Sequence, residues 1–406
     1  MAAPQCIDRF GAWEGYEFES HTEEERGGSR WSVLKLRPLL GVKRRCSSCG
    51  WVGTAVHDSE VRRVRDLPIF DVSVELELPR LRLECPNCGP KLEDLNWLEP
   101  YARITSRLAR SVALLCKVMT LRHVAKFYGL AWSTVKLIDQ RQLEREVGPP
   151  CLDGVKVIAM DEFAIQKGHR YATVIVEPYR KAVLWVGRGR GREDIRPFFE
   201  LLGADGCRNL EAAVMDMSEA FAEEVRCQCP RAEIVYDLFH VVAKFGREVI
   251  DRVRVDEANR LRQDRPSRKL VKSARWLLLR NRNNLADEDR VRLRELLAAN
   301  RALMTVYVMR DDLKALWNYR HPWYAQRFWD QWYRRAMYSR IPALKQFAKQ
   351  LRRFLPGILA HCRWPLGTNL IEGINNKIKV IKRMAYGFRD DAYFFLKIRA
   401  AFPGNR

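Results

Sequence analysis

Two short apolar runs, Val157-Ile158-Ala159-Met160-Asp161 and Ala212-Ala213-Val214-Met215-Asp216, each end on an aspartate preceded by methionine. Apolar text of this length reads as strand, so the chain must build a sheet that carries acidic groups. Much further on, Glu372 lies in helical text rich in Lys and Arg. Two strand-borne aspartates and a distant helical glutamate are what a two-metal phosphodiester-cleaving site needs. Such a site holds two Mg²⁺ or Mn²⁺ ions roughly 4 Å apart on hard oxygen ligands, one activating the attacking oxygen and one stabilising the leaving oxygen.

The text around the two aspartates predicts their neighbours. Val155–Ile165, Tyr171–Val176 and Ala182–Val186 read as strands, separated by turns at Lys167-Gly168 and through Pro178. A helix over Glu193–Leu202, the strand ending at Asp216, a helix over Glu219–Arg226 and a strand over Glu233–Tyr236 follow. Three antiparallel strands and then alternating helix and strand is the ribonuclease H-like order. In that sheet the strands bearing Asp161 and Asp216 are neighbours, and their carboxylates meet at one edge. Residues 241–360 show no strand pattern, only basic and aromatic helical text. The helices from Thr368 onward are expected to return to the sheet.

Charge and cysteine usage say what such a core would work on. The 406 residues carry a formal net charge of +22, concentrated on particular segments, which points to nucleic acid as a polyanionic partner. A hydrophobic share of 47% excludes wholesale disorder. No stretch is apolar enough to span a bilayer, and Met1-Ala2-Ala3-Pro4-Gln5 lacks a signal pattern, so a soluble cytoplasmic, nucleoid-associated protein is expected. Four of the 11 cysteines form two Cys-x-x-Cys pairs, Cys46/Cys49 and Cys85/Cys88, which is metal-site usage rather than a disulfide framework. Each pair puts two thiolates on one structural Zn²⁺, and Gly50 and Gly89 suit the tight knuckle. The alternating text Val72–Leu78 lies in the gap between the pairs, as a β insert in a zinc ribbon. His57 is a candidate substitute ligand but reads first as a surface residue, and Cys227-Gln-Cys229 is too short for a knuckle.

Residues 121–138 fit a helix-turn-helix: Val124, Ala125 and Leu130 pack with Val135 and Ile138, and Gly129 makes the turn. Ser133, Thr134 and Lys136 then project from the start of a helix suited to a DNA groove. Gly148-Pro149-Pro150 is the best linker. The expected organisation is multidomain α/β: a β segment and zinc ribbon (1–100), a helix-turn-helix (101–150), a ribonuclease H-like core (151–243 and 361–406), and an all-α insertion domain (244–360) interrupting it.

Helical phase places Glu372. Ile371, Ile374, Ile378 and Ile381 define a core stripe; Glu372, Asn376, Lys379 and Arg383 fall on an adjoining face toward metals and DNA, behind Thr368 as N-cap. Glu162 alternates to the opposite strand face. Asp237, ending Ile234-Val235-Tyr236, competes with Asp216 as the second ligand; Asp216 is favoured because it ends the earlier strand, with Asp237 and His240 as a supporting pair. In the insertion, Arg265 and Arg268 belong to a basic run that neutralises phosphates. Trp317, Trp323, Trp329 and Trp332 include either core residues or an aromatic that stacks on an unpaired base.

The segment Met160-Asp161-Glu162-Phe163-Ala164-Ile165-Gln166-Lys167-Gly168-His169-Arg170-Tyr171 resembles the first catalytic block of the ISL-three family of bacterial insertion-sequence transposases. Val214-Met215-Asp216-Met217, Tyr236-Asp237-Leu238-Phe239-His240-Val241 and the block from Asn369 to Lys379 are similar to that family too, and the cysteine pairs and helix-turn-helix stand in its order. The resemblance implies that Asp161, Asp216 and Glu372 are a DDE triad. It also implies that the protein binds inverted-repeat DNA ends as a homodimer or higher oligomer, cleaves them, and joins the 3′-OH to target DNA. Two rivals share the DNA-binding modules: a regulator with an inert core, against which the three carboxylates argue, and a structure-selective nuclease without strand transfer.

Overall fold

The computed structural model describes residues 13–166, 168, 170–280, 282–366 and 369–404, so the expected turn at Lys167 and the expected Thr368 cap lie outside the described residues. The chain divides into two compact units, Met1–Glu146 and Val147–Arg406, with the division beside Gly148-Pro149-Pro150.

The first unit is a seven-stranded sheet followed by helices. Its strands are β1 (Tyr16–Arg26), β2 (Ser29–Pro38), β3 (Arg44–Cys46), β4 (Val52–Gly53), β5 (Val56–Ile69), β6 (Val72–Cys85) and β7 (Gly89–Asp94). They run in the order β1-β2-β6-β7-β3-β4, with β5 also on β6. Strict alternation in β6 turns Val74, Leu76 and Leu78 into a core with Trp13, Leu34, Leu36, Val64 and Trp97. The long β5–β6 hairpin is the insert between the two cysteine pairs. Helices Ser106–Cys116, Leu121–Tyr128 and Trp132–Val147 come next, the first two capped by Thr105 and Thr120 hydroxyls that accept from Leu108 and His123 amides.

The second unit holds a five-stranded sheet of β8 (Val157–Gln166), β9 (Arg170–Glu177), β10 (Ala182–Arg188), β11 (Ala212–Met215) and β12 (Glu233–Tyr236), in the order β10-β9-β8-β11-β12. β8, β9 and β10 are antiparallel, and β11 runs parallel to both β8 and β12. Period two sends alternate side chains into two different cores. Ile158, Met160, Ala213 and Met215 meet Ile195, Phe198 and Phe221 from helices Arg192–Asn209 and Glu219–Gln228. Val157, Ala159, Ala212, Val214 and Val235 instead meet Ile371, Ile374 and Ile378 of helix Asn369–Met384, with Phe394 and Ile398 of helix Asp391–Ala401. The helix expected over Glu193–Leu202 runs on to Asn209 because Gly203, at φ 74°, joins a second helical piece across a kink that only glycine adopts freely.

Between Leu238 and Leu359 the described residues are helical or in turns, with no strand among residues 241–360. Helices Arg301–Ala315, Pro322–Tyr338 and Pro342–Leu351 contribute Leu303, Val306, Trp329, Trp332 and Phe347 to the same core as Phe198 and Phe221. No helix among the described residues is long and apolar enough to cross a membrane.

Candidate active site

Strand alternation decides where the acidic side chains point. Val157 and Ala159, Ala212 and Val214, and Val235 all face helix Asn369–Met384, so Asp161, Asp216 and Asp237, each two residues further on, share that face. Register sets their height. Val214 lies opposite Ala159 and Met215 opposite Tyr236, so continuing the parallel ladders brings all three aspartates to one level. They gather where β11 and β12 end, at the carboxyl edge of parallel strands, the usual location of sites in such sheets.

Each carboxylate has a different set of partners. Asp161 Oδ1 accepts the Glu162 amide at 2.8 Å, and its Oδ2 accepts Asn375 Nδ2 at 2.5 Å. Asp216 Oδ1 is buried and has no hydrogen-bond partner. Asp237 caps the helix Leu238–Phe245, with Oδ1 accepting the Phe239 amide at 2.7 Å. His240 Nε2 stands 3.9 Å from Asp237 Oδ2. Burial raises Asp161 and Asp216 above the usual carboxylate range, with His240 pulling both back down and the charge of Asp161 adding to the rise at Asp216. Burial carries Asp237 up to about 6. Oxygen-rich, partly desolvated groups that repel one another are relieved by a divalent cation.

Helix Asn369–Met384 lies over this edge. Ile371, Ile374 and Ile378 are its buried stripe, while Glu372, Asn376, Lys379 and Arg383 are exposed. Glu372 lies one turn before Asn375, the residue that touches Asp161. Asn376 instead accepts from Lys379 Nζ at 3.5 Å. The contact to Asp161 was thus missed by one residue; its signal was the position directly after Ile374, at the margin of the stripe. Glu162 points away, pairing with Arg190 at 3.1 Å. The donors present fit hard cations, since Asp216 Oδ1 and Asn375 Oδ1 are both buried and unpartnered. Among the described residues, no three of these acidic or histidine ligand atoms lie within 4.8 Å of one another, a spread wider than one tight cluster.

The cysteine quartet is tight. Cys46, Cys49, Cys85 and Cys88 have their Sγ atoms all within 4.8 Å of one another, with Cys49 and Cys85 at 3.5 Å. Gly50 (φ 74°) and Gly89 (φ 67°) take the left-handed turn a knuckle requires. The Trp51 amide beside Cys49 holds its thiol down to about 6. A four-thiol donor set of this kind fits a structural zinc. His57 is exposed outside it.

In the helix-turn-helix, Val124, Ala125, Tyr128 and Val135 are buried, Leu130 and Ile138 pack on them, and Gly129 turns at φ 60°. Ser133 is exposed and Thr134 and Lys136 are half-buried at the start of helix Trp132–Val147. In the helical segment, Trp329 and Trp332 are core residues stacked at 5.3 Å, and Trp332 Nε1 donates to the Met309 carbonyl at 2.8 Å. Trp317 stacks on His361 at 5.4 Å. Of the four tryptophans only Trp323 is exposed, at 57%, so stacking on a base is excluded for the buried pair. Arg265 is exposed, whereas Arg268 is half-buried with an unpartnered Nε. Trp276, exposed beside Arg275, was overlooked although it ends the same basic run.

Three segments of the chain match known protein families. A family model described as "Transposase" matches residues 158–398, one described as "Helix-turn-helix domain of transposase family ISL3" matches 93–142, and one described as "zinc-finger of transposase IS204/IS1001/IS1096/IS1165" matches 43–88. The chain is 53% identical to the transposase for insertion sequence element IS1001 of Bordetella parapertussis over 406 residues, all of both chains. It is 26% identical to the transposase for insertion sequence element IS1557 of Mycobacterium tuberculosis, covering 98% of this chain and 94% of the relative.

Proposed function

The chain belongs to the ISL3 family of insertion-sequence transposases, and on that premise we propose that it cleaves its element's inverted-repeat ends at a two-metal DDE site and joins the 3′-OH to target DNA. The observation that carries this reading is the edge of the second sheet, where Asp161 and Asp216 stand level on neighbouring strands beneath the helix that bears Glu372, with a bare buried oxygen on Asp216. The strand order β10-β9-β8-β11-β12 supports a ribonuclease H-like core over residues 151–243 and 361–406, with residues 244–360 as its all-α insertion.

Asp161, Asp216 and Glu372 would hold the two Mg²⁺ or Mn²⁺ ions. When bound, such ions supply an activated oxygen nucleophile and neutralise the charge on the leaving oxygen without a covalent intermediate. Asp216 is preferred to Asp237 as the second ligand because its buried Oδ1 has no hydrogen-bond partner, whereas Asp237 Oδ1 caps the helix Leu238–Phe245. His240, 3.9 Å from Asp237 Oδ2 and favouring the charged form of all three aspartates, orients a water or phosphate. Lys379 and Arg383, exposed on the helix of Glu372, meet the phosphate backbone. Ser133, Thr134 and Lys136 enter a groove of the inverted repeat, with the zinc ribbon fixing their module; Arg265 and Arg268 neutralise phosphates of the same DNA. Two ends must be handled together, which calls for a homodimer or higher oligomer on DNA, working in the cytoplasm on the nucleoid.

Asp161→Asn, Asp216→Asn and Glu372→Gln each remove one charge at nearly constant volume. Each is expected to abolish Mg²⁺-dependent cleavage of inverted-repeat DNA while leaving end binding in a gel-shift assay intact. Asp237→Asn is expected to retain measurable cleavage. A dead Asp237→Asn with an active Asp216→Asn would move the second ligand to Asp237, and three active triad variants would sink the reading.

A further inference from the structure

Asn375 makes use of only half its carboxamide within the protein. Its Nδ2 donates to Asp161 Oδ2, while its Oδ1 is buried and meets no donor. Donors on the adjoining elements are used elsewhere: Lys379 Nζ on Asn376, Lys382 Nζ on the Ala164 carbonyl and Gln166 Nε2 on the Phe388 carbonyl. A buried acceptor left bare is destabilising, and such groups in folded proteins ordinarily find a partner. The second bare buried oxygen here is Asp216 Oδ1, on the sheet face that Asn375 overlies; Asp161 touches Asn375, and its charge acts on Asp216. Carboxamide oxygens are ordinary ligands for hard divalent cations. We propose that Asn375 uses both ends of its side chain in the active site, Nδ2 fixing the Asp161 carboxylate and Oδ1 serving as an oxygen ligand of the catalytic divalent cation. The proposal rests on the two-metal reading of Asp161 and Asp216. It gives the helix of Glu372 a second point of attachment to the metal centre, made by the residue that faces the sheet rather than solvent.

The test is Mn²⁺ binding by the full chain, first saturated with zinc so that the cysteines are occupied, and read from loss of the free-ion electron paramagnetic resonance signal without DNA. Asn375→Ala and the near-isosteric Asn375→Leu are expected to weaken Mn²⁺ binding roughly 10–100-fold. Asn375→Asp, which keeps an oxygen at that position, is expected to bind at least as tightly as wild type. Thermal melting of the zinc-loaded variants shows that each is folded. Wild-type Mn²⁺ affinity in the alanine and leucine variants overturns the proposal. So does an Asn375→Asp variant as weak as alanine, since the amide would then act only as a donor to Asp161. Asp161→Asn and Asp216→Asn are measured alongside. If both lose Mn²⁺ while Asn375→Ala keeps it, this inference alone falls; if both keep it, the two-metal reading falls and takes the inference with it.

Discussion

A four-thiol zinc site forms only when four separate cysteines converge, and that convergence is a property of single positions. Cys46, Cys49, Cys85 and Cys88 meet that condition, so Cys46→Ser or Cys88→Ser should release the metal and unfold the N-terminal ribbon, because structural zinc contributes folding energy directly. Metal analysis should find about one zinc per wild-type chain, and less than about half would contradict a four-thiol site. The tryptophans divide by position in the same way. Trp329→Ala should cost about 3–5 kcal/mol in a denaturant melt, since it empties a stacked core pair. Trp323→Ala should leave the melt unchanged and weaken binding to DNA with an unpaired end, through lost stacking of roughly 1–3 kcal/mol; equal loss on unpaired and fully paired ends would remove that role. Residue type was legible in the sequence here and exposure was not. Trp329 and Trp332 lie three apart, on one face of helix Pro322–Tyr338, a spacing that fits packing as well as stacking on a base, and their burial decides for core. Asn375 was missed for a related reason: two adjacent asparagines differ by about 100° of helix, and only the position of the sheet shows which one touches Asp161.

At the scale of elements, the text was clearest where a pattern is local. The five strands of the second sheet were readable from short apolar runs, and the isoleucine stripe gave the phase of the last core helix. Their order and register depend on contacts between distant segments, and both the strand order and the level placement of three aspartates come from the ladders themselves. Burial of charge was the least legible. Glu224 is fully buried between helices Arg192–Asn209 and Glu219–Gln228, where it accepts from Arg192 Nε at 2.7 Å and Arg196 Nε at 3.0 Å. Burial pushes its pKa up, but the hydrogen bonds from Arg196, Arg192 and Gln228 outweigh it and hold the carboxyl at about 2. A depressed folded-state pKa contributes stability above the unfolded value of 4.5 that is lost as pH falls toward about 2. Glu224→Gln should therefore lower stability by about 2 kcal/mol at pH 7, and the gap from wild type should close as melts are taken at falling pH. A gap that stays constant with pH would show that the carboxylate charge contributes nothing.

For the whole molecule, the net charge of +22 and the order of modules point to DNA from the sequence alone, and the division into Met1–Glu146 and Val147–Arg406 puts the ribbon and helix-turn-helix in one unit and the acidic site in the other. Strand transfer at specific ends calls for both units in one intact chain. A DNA-binding regulator would hold ends without cutting, and a nuclease would cut without joining. The direct measurement is to incubate zinc-loaded protein with labelled inverted-repeat ends, Mg²⁺ and a supercoiled target plasmid, and to sequence the products. We predict 3′ ends of the element joined covalently to target DNA, with no joined product from Asp161→Asn. Ends that are bound but uncut, or cut and never joined, would contradict the assignment of this chain as a strand-transferring transposase.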